Sequence, residues 1–176
     1  MKRSVRLWQF WGFAVTSLAG TLLHFLYEWS GEALWTAPFS GVNESTWEHM
    51  KLLFWPMFFF ALFECFFFRN RRDFWCVKLK GILLGLVLIP VIFYTYNGAV
   101  GPSPDWFNIA IFFISAASAY LAETRLFIRE DTACRFPRFA FTALCVTAFL
   151  FVLFTFVTPQ LGIFRDPLTG AYGIIV

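Results

Sequence analysis

The sequence predicts an all-α protein: a polytopic membrane bundle of five transmembrane helices, with its N-terminus inside and a C-terminal tail outside. Three observations carry this. The chain is 59% hydrophobic with 26 Phe and a mean hydropathy of +0.66, more apolar side chain than a water-soluble domain of 176 residues encloses. Its apolar stretches recur at the roughly 20-residue length that crosses a bilayer. Twelve of its fourteen Lys and Arg fall in three clusters between those stretches. The clusters are Lys2, Arg3 and Arg6; then Arg69, Arg71, Arg72, Lys78 and Lys80; then Arg125, Arg129, Arg135 and Arg138. Lys51 and Arg165 alone fall in the alternate gaps, which hold most of the acids. Cations concentrate in cytoplasmic loops, so this alternation orients the bundle. The same placement accounts for the net charge of +3 without a nucleic-acid partner, and none is expected.

One integral membrane domain over residues 1–176 suits the length. The first span covers about residues 7–29. It ends in His24, Glu28 and Trp29 rather than in small residues, so no cleavable signal peptide is expected. The second covers about 47–68. Its start is marked by Ser45 followed three residues later by Glu48, the spacing of a capping box, and Pro56 inside it predicts a kink. The third covers about 79–97. The fourth, about 106–128, follows Ser103-Pro104-Asp105, a cap, a proline and an acid at the positive end of the helix dipole. The fifth, about 137–158, stops at Thr158-Pro159. Gly81 and Gly85 form a GxxxG on the third span, and Ser115, Ala119 and Ala122 a small-residue stripe on the fourth. Such surfaces serve close packing within the chain or a homodimer through Gly81 and Gly85.

The four cysteines fall in spans or on the cytoplasmic side, where thiols stay reduced, so no disulfide is expected. Both histidines lie on the other side, with most of the acids. His24 and Glu28 are four apart and share one helix face. At about 1.5 Å per residue, His24 lies inside the hydrocarbon edge, where an ionisable group faces the bundle or water. Glu44, Glu48 and His49 lie at the start of the second span. These residues, with Asp166 brought back by a folded tail, form a candidate outer site. Mixed nitrogen and oxygen ligands suit zinc, iron or manganese, although the spacing matches neither HExxH nor the ExxH pairs of di-iron bundles. The other reading is a structural polar cluster, with Glu48 as capping acid paired to Lys51. The tail, Phe164 to Ile174 and Ile175, carries turn chemistry at Asp166-Pro167 and Thr169-Gly170 that folds it over the helix ends.

A second cluster lies toward the cytoplasmic face. Glu64 and Glu123 each sit about five residues from the end of a span, with Lys78, Lys80 and Arg125 level with them. An ion-paired lock between spans two, three and four is one reading, and a proton or cation relay the other.

The strings HFLYEWSG at 24–31, VNESTWEHMKLLFWP at 42–56 and FRDPLTGAYGI at 164–174 resemble a family of small bacterial integral membrane proteins of unknown function, mostly from Firmicutes. The resemblance implies a multi-pass protein of the bacterial plasma membrane and brings no catalytic residues with it. No phosphate loop, nucleophile elbow, kinase set or dinucleotide fingerprint is present. Three functions stand open: a metal-assisted membrane hydrolase, a small oligomeric transporter or channel, and a non-catalytic accessory subunit.

Overall fold

The computed structural model describes residues 2–129 and 134–174. Among them are five α-helices: α1 (Lys2–Trp29), α2 (Thr46–Glu64), α3 (Phe74–Ala99), α4 (Asp105–Arg129) and α5 (Pro137–Phe156). One turn of 3-10 helix, Gly162–Phe164, follows α5. By length and composition α1, α3, α4 and α5 are apolar enough to cross a membrane. Leu18, Val87, Ile109 and Phe149 point away from the bundle and are exposed, as lipid-facing side chains are. Helix bounds shift from the expected spans. α1 takes in Lys2, Arg3 and Arg6, α2 stops at Glu64 rather than 68, and α3 starts five residues early at Phe74.

α2 occupies the centre and packs against all four other helices. Its sequence explains the position: it has no polar face, and thirteen of its nineteen residues are buried. A helix apolar all round is stable only when surrounded. Pro56 lies within the helical run, which continues unbroken past it. Ser45 caps the helix by accepting from Glu48 N at 3.4 Å, but the reciprocal half of the box is absent. Glu48 Oε2 accepts instead from Val42 N, at 3.0 Å.

α3 and α4 form the most extensive pair, and the small residues explain it. Gly81 lies directly beneath the Glu123 side chain, and Gly85 beneath Leu53 and Ala119. The glycine face that suggested a homodimer is therefore filled within the chain. On α1 the buried row is Val5, Gln9, Gly12, Thr16, Gly20 and Tyr27. There Gly12 admits the rings of Tyr120 and Phe60, and Gly20 admits Phe112.

The segment between α1 and α2 tucks into the bundle, with Thr36, Ala37 and Ser40 fully buried. A buried loop must satisfy its carbonyls, and two α2 side chains do this. Lys51 Nζ donates to Ala37 O at 2.9 Å and Trp55 Nε1 to Pro38 O at 2.8 Å.

The expectation of no disulfide is overturned: Cys76, in the first turn of α3, is bonded to Cys134, just before α5. Their Cα atoms are 5.9 Å apart, within the range a bridge requires. The compartment argument considered each cysteine's environment and could not see that the chain returns these two, 58 residues apart, to one place. Cys65 and Cys145 are free.

At the basic end the two buried acids meet one cation. Lys78 Nζ is ion-paired with Glu64 and lies 2.6 Å from Glu123 Oε2. Gln9 Nε2 donates to Glu64 Oε1 at 2.7 Å. Lys80 and Arg125 face outward and take no part, correcting the expectation that they share this neutralisation. Lys78 and Lys80 are two residues apart and hence about 200° apart around the helix, so only one of them can face α4.

Candidate functional site

The opposite end of the bundle, where α1 finishes and α2 and α4 begin, holds a cavity of about 460 Å³. Its polar wall comes from Thr21 and His24 of α1, Glu44 of the α1–α2 segment, His49 of α2, and Asp105 and Asn108 of α4. Its other walls are apolar: Phe25, Leu52, Ile109, Phe112, Phe113 and Leu168. Phe25, Ile109 and Phe113 line the cavity and are also exposed on the flank of the bundle. The cavity therefore opens sideways between α1 and α4.

Local chemistry sets the positions of the two imidazoles. Glu44 bridges them, with Oε1 3.7 Å from His24 Nε2 and Oε2 3.5 Å from His49 Nε2; the ring centres are 5.8 Å apart. Both gaps exceed a hydrogen bond. His49 Nδ1 lies 3.0 Å from Ser45 O. A carbonyl only accepts, so Nδ1 carries the hydrogen, and Nε2 of neutral His49 turns a lone pair toward the Glu44 carboxylate. Two acceptors facing each other are relieved by positive charge, either on the ring or between the two groups.

Asn43 fixes the segment that carries Glu44. Its Oδ1 accepts from Ser45 N and its Nδ2 donates to Gly173 O, both at 2.9 Å. The second bond pins the C-terminal tail over this end. The tail folds back through an antiparallel bridge between Arg165 and Tyr172. Phe164 is buried, its ring centre 4.6 Å from that of Trp47, and Leu168 reaches the cavity. Gly173 has φ +68° and faces Thr158 closely, a conformation open to glycine. Of the apolar tail residues expected on the helix ends, Ile175 lies outside the described residues, as does Val176.

The remaining sequence candidates stand elsewhere. Glu48 is buried and turned away, 2.6 Å from Lys51 Nζ. Asp166 is buried but is used by its own turn, accepting from Leu168 N at 2.8 Å and Thr169 Oγ1 at 2.9 Å; it orients neither histidine. The Glu28 side chain is exposed and enters no hydrogen bond or ion pair among the described residues. His24 finds Glu44 instead of its helix neighbour. Among the described residues no three of His, Cys, Asp or Glu form a group that could hold a metal ion, so the expected divalent centre lacks a ligand set. Asp105, in contrast, carries helix-start chemistry in the sequence, and Asn108 belongs to no motif there. Their three-residue spacing puts both on one face, a signal that pointed to a shared surface without saying what it faced.

The chain belongs to a family of unknown function, DUF6512, whose family model matches residues 1–174. Neither the curated proteins nor the solved structures contain a match to it.

Proposed function

From that membership, which carries no activity with it, we propose that the chain is an integral membrane protein whose histidine-bearing cavity binds a small amphiphile with a protonated amine head. The observation that carries this is the composition of the cavity. Two carboxylates, Glu44 and Asp105, and two imidazoles stand on one wall with Thr21 and Asn108, and the other walls are hydrocarbon that opens on the flank. A pocket with convergent polar groups and apolar walls is the usual form of a ligand site. The excess of acceptors around Glu44 favours a cationic donor. Phe25, Ile109 and Phe113 would contact the chain of a ligand arriving from the lipid.

In this reading the whole chain is one membrane domain, and α2 crosses within the arc formed by α1, α4, α3 and α5. The basic end lies in the cytoplasm of a bacterial cell, and the cavity and the tail beyond α5 lie on the outer side of its plasma membrane. The division of cations between alternate gaps supports this orientation, while the Cys76–Cys134 bridge at the basic end, rare where thiols are kept reduced, argues against it. Reporter fusions after Asn70 and after Gly170 are expected on opposite sides of the membrane. The same side for both would refute the topology and the sidedness of the cavity.

Binding is tested with the purified chain in nanodiscs, using a dodecylammonium salt and dodecanol as probes. The amine is expected to raise the melting temperature and the alcohol to leave it nearly unchanged. Losing one charged partner weakens a charge-assisted contact by about 1.5–3 kcal/mol, so Glu44→Gln or Asp105→Asn should each weaken amine binding by about tenfold or more. Equal responses to amine and alcohol would reject the cationic head, and unchanged binding in the double variant would reject the site.

A further inference from the structure

The ion cluster at the basic end is short of one hydrogen and of one positive charge. Glu64, Lys78 and Glu123 are buried, both acids with no exposed surface. With every group ionised, two carboxylates meet one ammonium and the cluster carries one net negative charge. The rings of Phe74, Tyr120 and Phe127 surround the ammonium, with centres 5.6–5.7 Å from Lys78 Nζ, so little solvent is at hand to spread that charge. An uncompensated charge in such surroundings costs several kcal/mol, and a site of this kind takes up a proton instead.

The hydrogen-bond inventory agrees with the charge count. Lys78 is shared between the two acids, and Gln9 Nε2 serves Glu64. Glu123 Oε1 and Gln9 Oε1 are buried and accept from no donor, while Glu64 Oε2, buried as well, meets only the Lys78 ammonium of its ion pair. Unpaired buried acceptors are rare because each forfeits its hydration. Of the two acids, Glu64 has donors from both Gln9 and Lys78, while Glu123 has Lys78 alone. The bare Glu123 oxygen lies over Gly81, which offers no donor.

We infer that Glu64, Lys78 and Glu123 form a proton-binding site, with an exchangeable proton on the Glu123 carboxyl and Glu64 as the ionised partner of Lys78. The titratable groups around Glu123 are Glu64 from α2, Lys78 from α3 and Tyr120 from its own helix. α1 contributes uncharged Gln9, and Thr16, which shares a 2.7 Å hydrogen bond with Tyr120. Toward the cavity at the other end, Tyr120 over Gly12 and Phe112 over Gly20 close the α1–α4 seam, so the proton exchanges with the basic end. This site is independent of the amine site, and each can fail without the other.

Infrared spectroscopy of the whole chain in nanodiscs tests it. At neutral pH the expected result is a carbonyl-stretch band from about one protonated carboxylic acid per chain. It should disappear in Glu123→Gln, persist in Glu28→Gln, and fade reversibly in the wild type as the pH is raised. No such band in the wild type, or a band that survives Glu123→Gln, overturns the inference. Should Glu123→Gln fail to fold, wild type carrying ¹³C-carboxyl glutamate decides. A band that shifts with the label and titrates supports the proton site, and a band that does not shift rejects it.

Discussion

Lys51→Met is expected to destabilise the chain by about 3–5 kcal/mol, the range for breaking a buried ion pair from one side. The ammonium has no exposed surface and all three of its hydrogens are engaged. It lies 2.6 Å from Glu48 Oε2, and 2.9 Å from both Ala37 O and Thr155 Oγ1. Methionine fills similar volume, so the loss is electrostatic rather than a cavity. Glu48 would keep only its bond from Val42 N, and the buried carbonyl of Ala37 would lose its donor. Adding Glu48→Gln to Lys51→Met should recover part of the loss, because the stranded charge is then gone. Reversible denaturation in detergent micelles measures both. A single variant within about 1 kcal/mol of wild type, well under that range, would show that this pair does not hold the loop in the bundle.

Gly81→Ala should cost about 1–3 kcal/mol, the usual range for overpacking. A methyl at this position would overlap the Glu123 side chain at its stem as well as at its carboxyl. That carboxyl is held by Lys78 at 2.6 Å and cannot swing aside without breaking the ion pair. Gly98 provides the control within the same helix, since a methyl there would meet nothing within 4 Å. Gly98→Ala should be neutral or stabilise by up to about 1 kcal/mol, since alanine loses less backbone entropy in a helix. Unfolding midpoints of the two variants compare them directly. If Gly81→Ala matches Gly98→Ala in stability, close approach of α3 to α4 is not what the glycine provides.

The helices were legible in the sequence because hydropathy and charge clustering are local signals. The company kept by each polar residue was legible only where it was also local. Glu48 and Lys51 lie three apart, and their pairing was one of the readings available. Which of Lys78 and Lys80 meets Glu123 depends on how α3 is rotated against α4, and no local pattern records that rotation. Asp105 was hidden for a different reason: an acid at the start of a helix already has an explanation, so its second environment drew no notice. His24 and His49 were brought to one level by depth alone, whereas Glu44 between them depends on Asn43 fixing the loop. Asp166 carried turn chemistry that was recognised, yet the turn consumes the very carboxylate that was expected to reach the histidines.

The central position of α2 has a consequence for how the protein is made. In the reading that makes α2 a span, charged side chains add a cost to its insertion that is greatest at mid-helix, and α2 carries Glu48 and Lys51 near its start and Glu64 at its end. During synthesis α1 and α2 emerge first, and together they already contain the Glu48–Lys51 pair and the Gln9–Glu64 bond. Glu64 gains its cation only when α3 delivers Lys78, and that cation gains its second acid only with α4. Lys51 obtains its hydroxyl, Thr155, from α5, the last helix to leave the ribosome. Each ammonium thus completes its contacts late, Lys78 with α4 and Lys51 with α5.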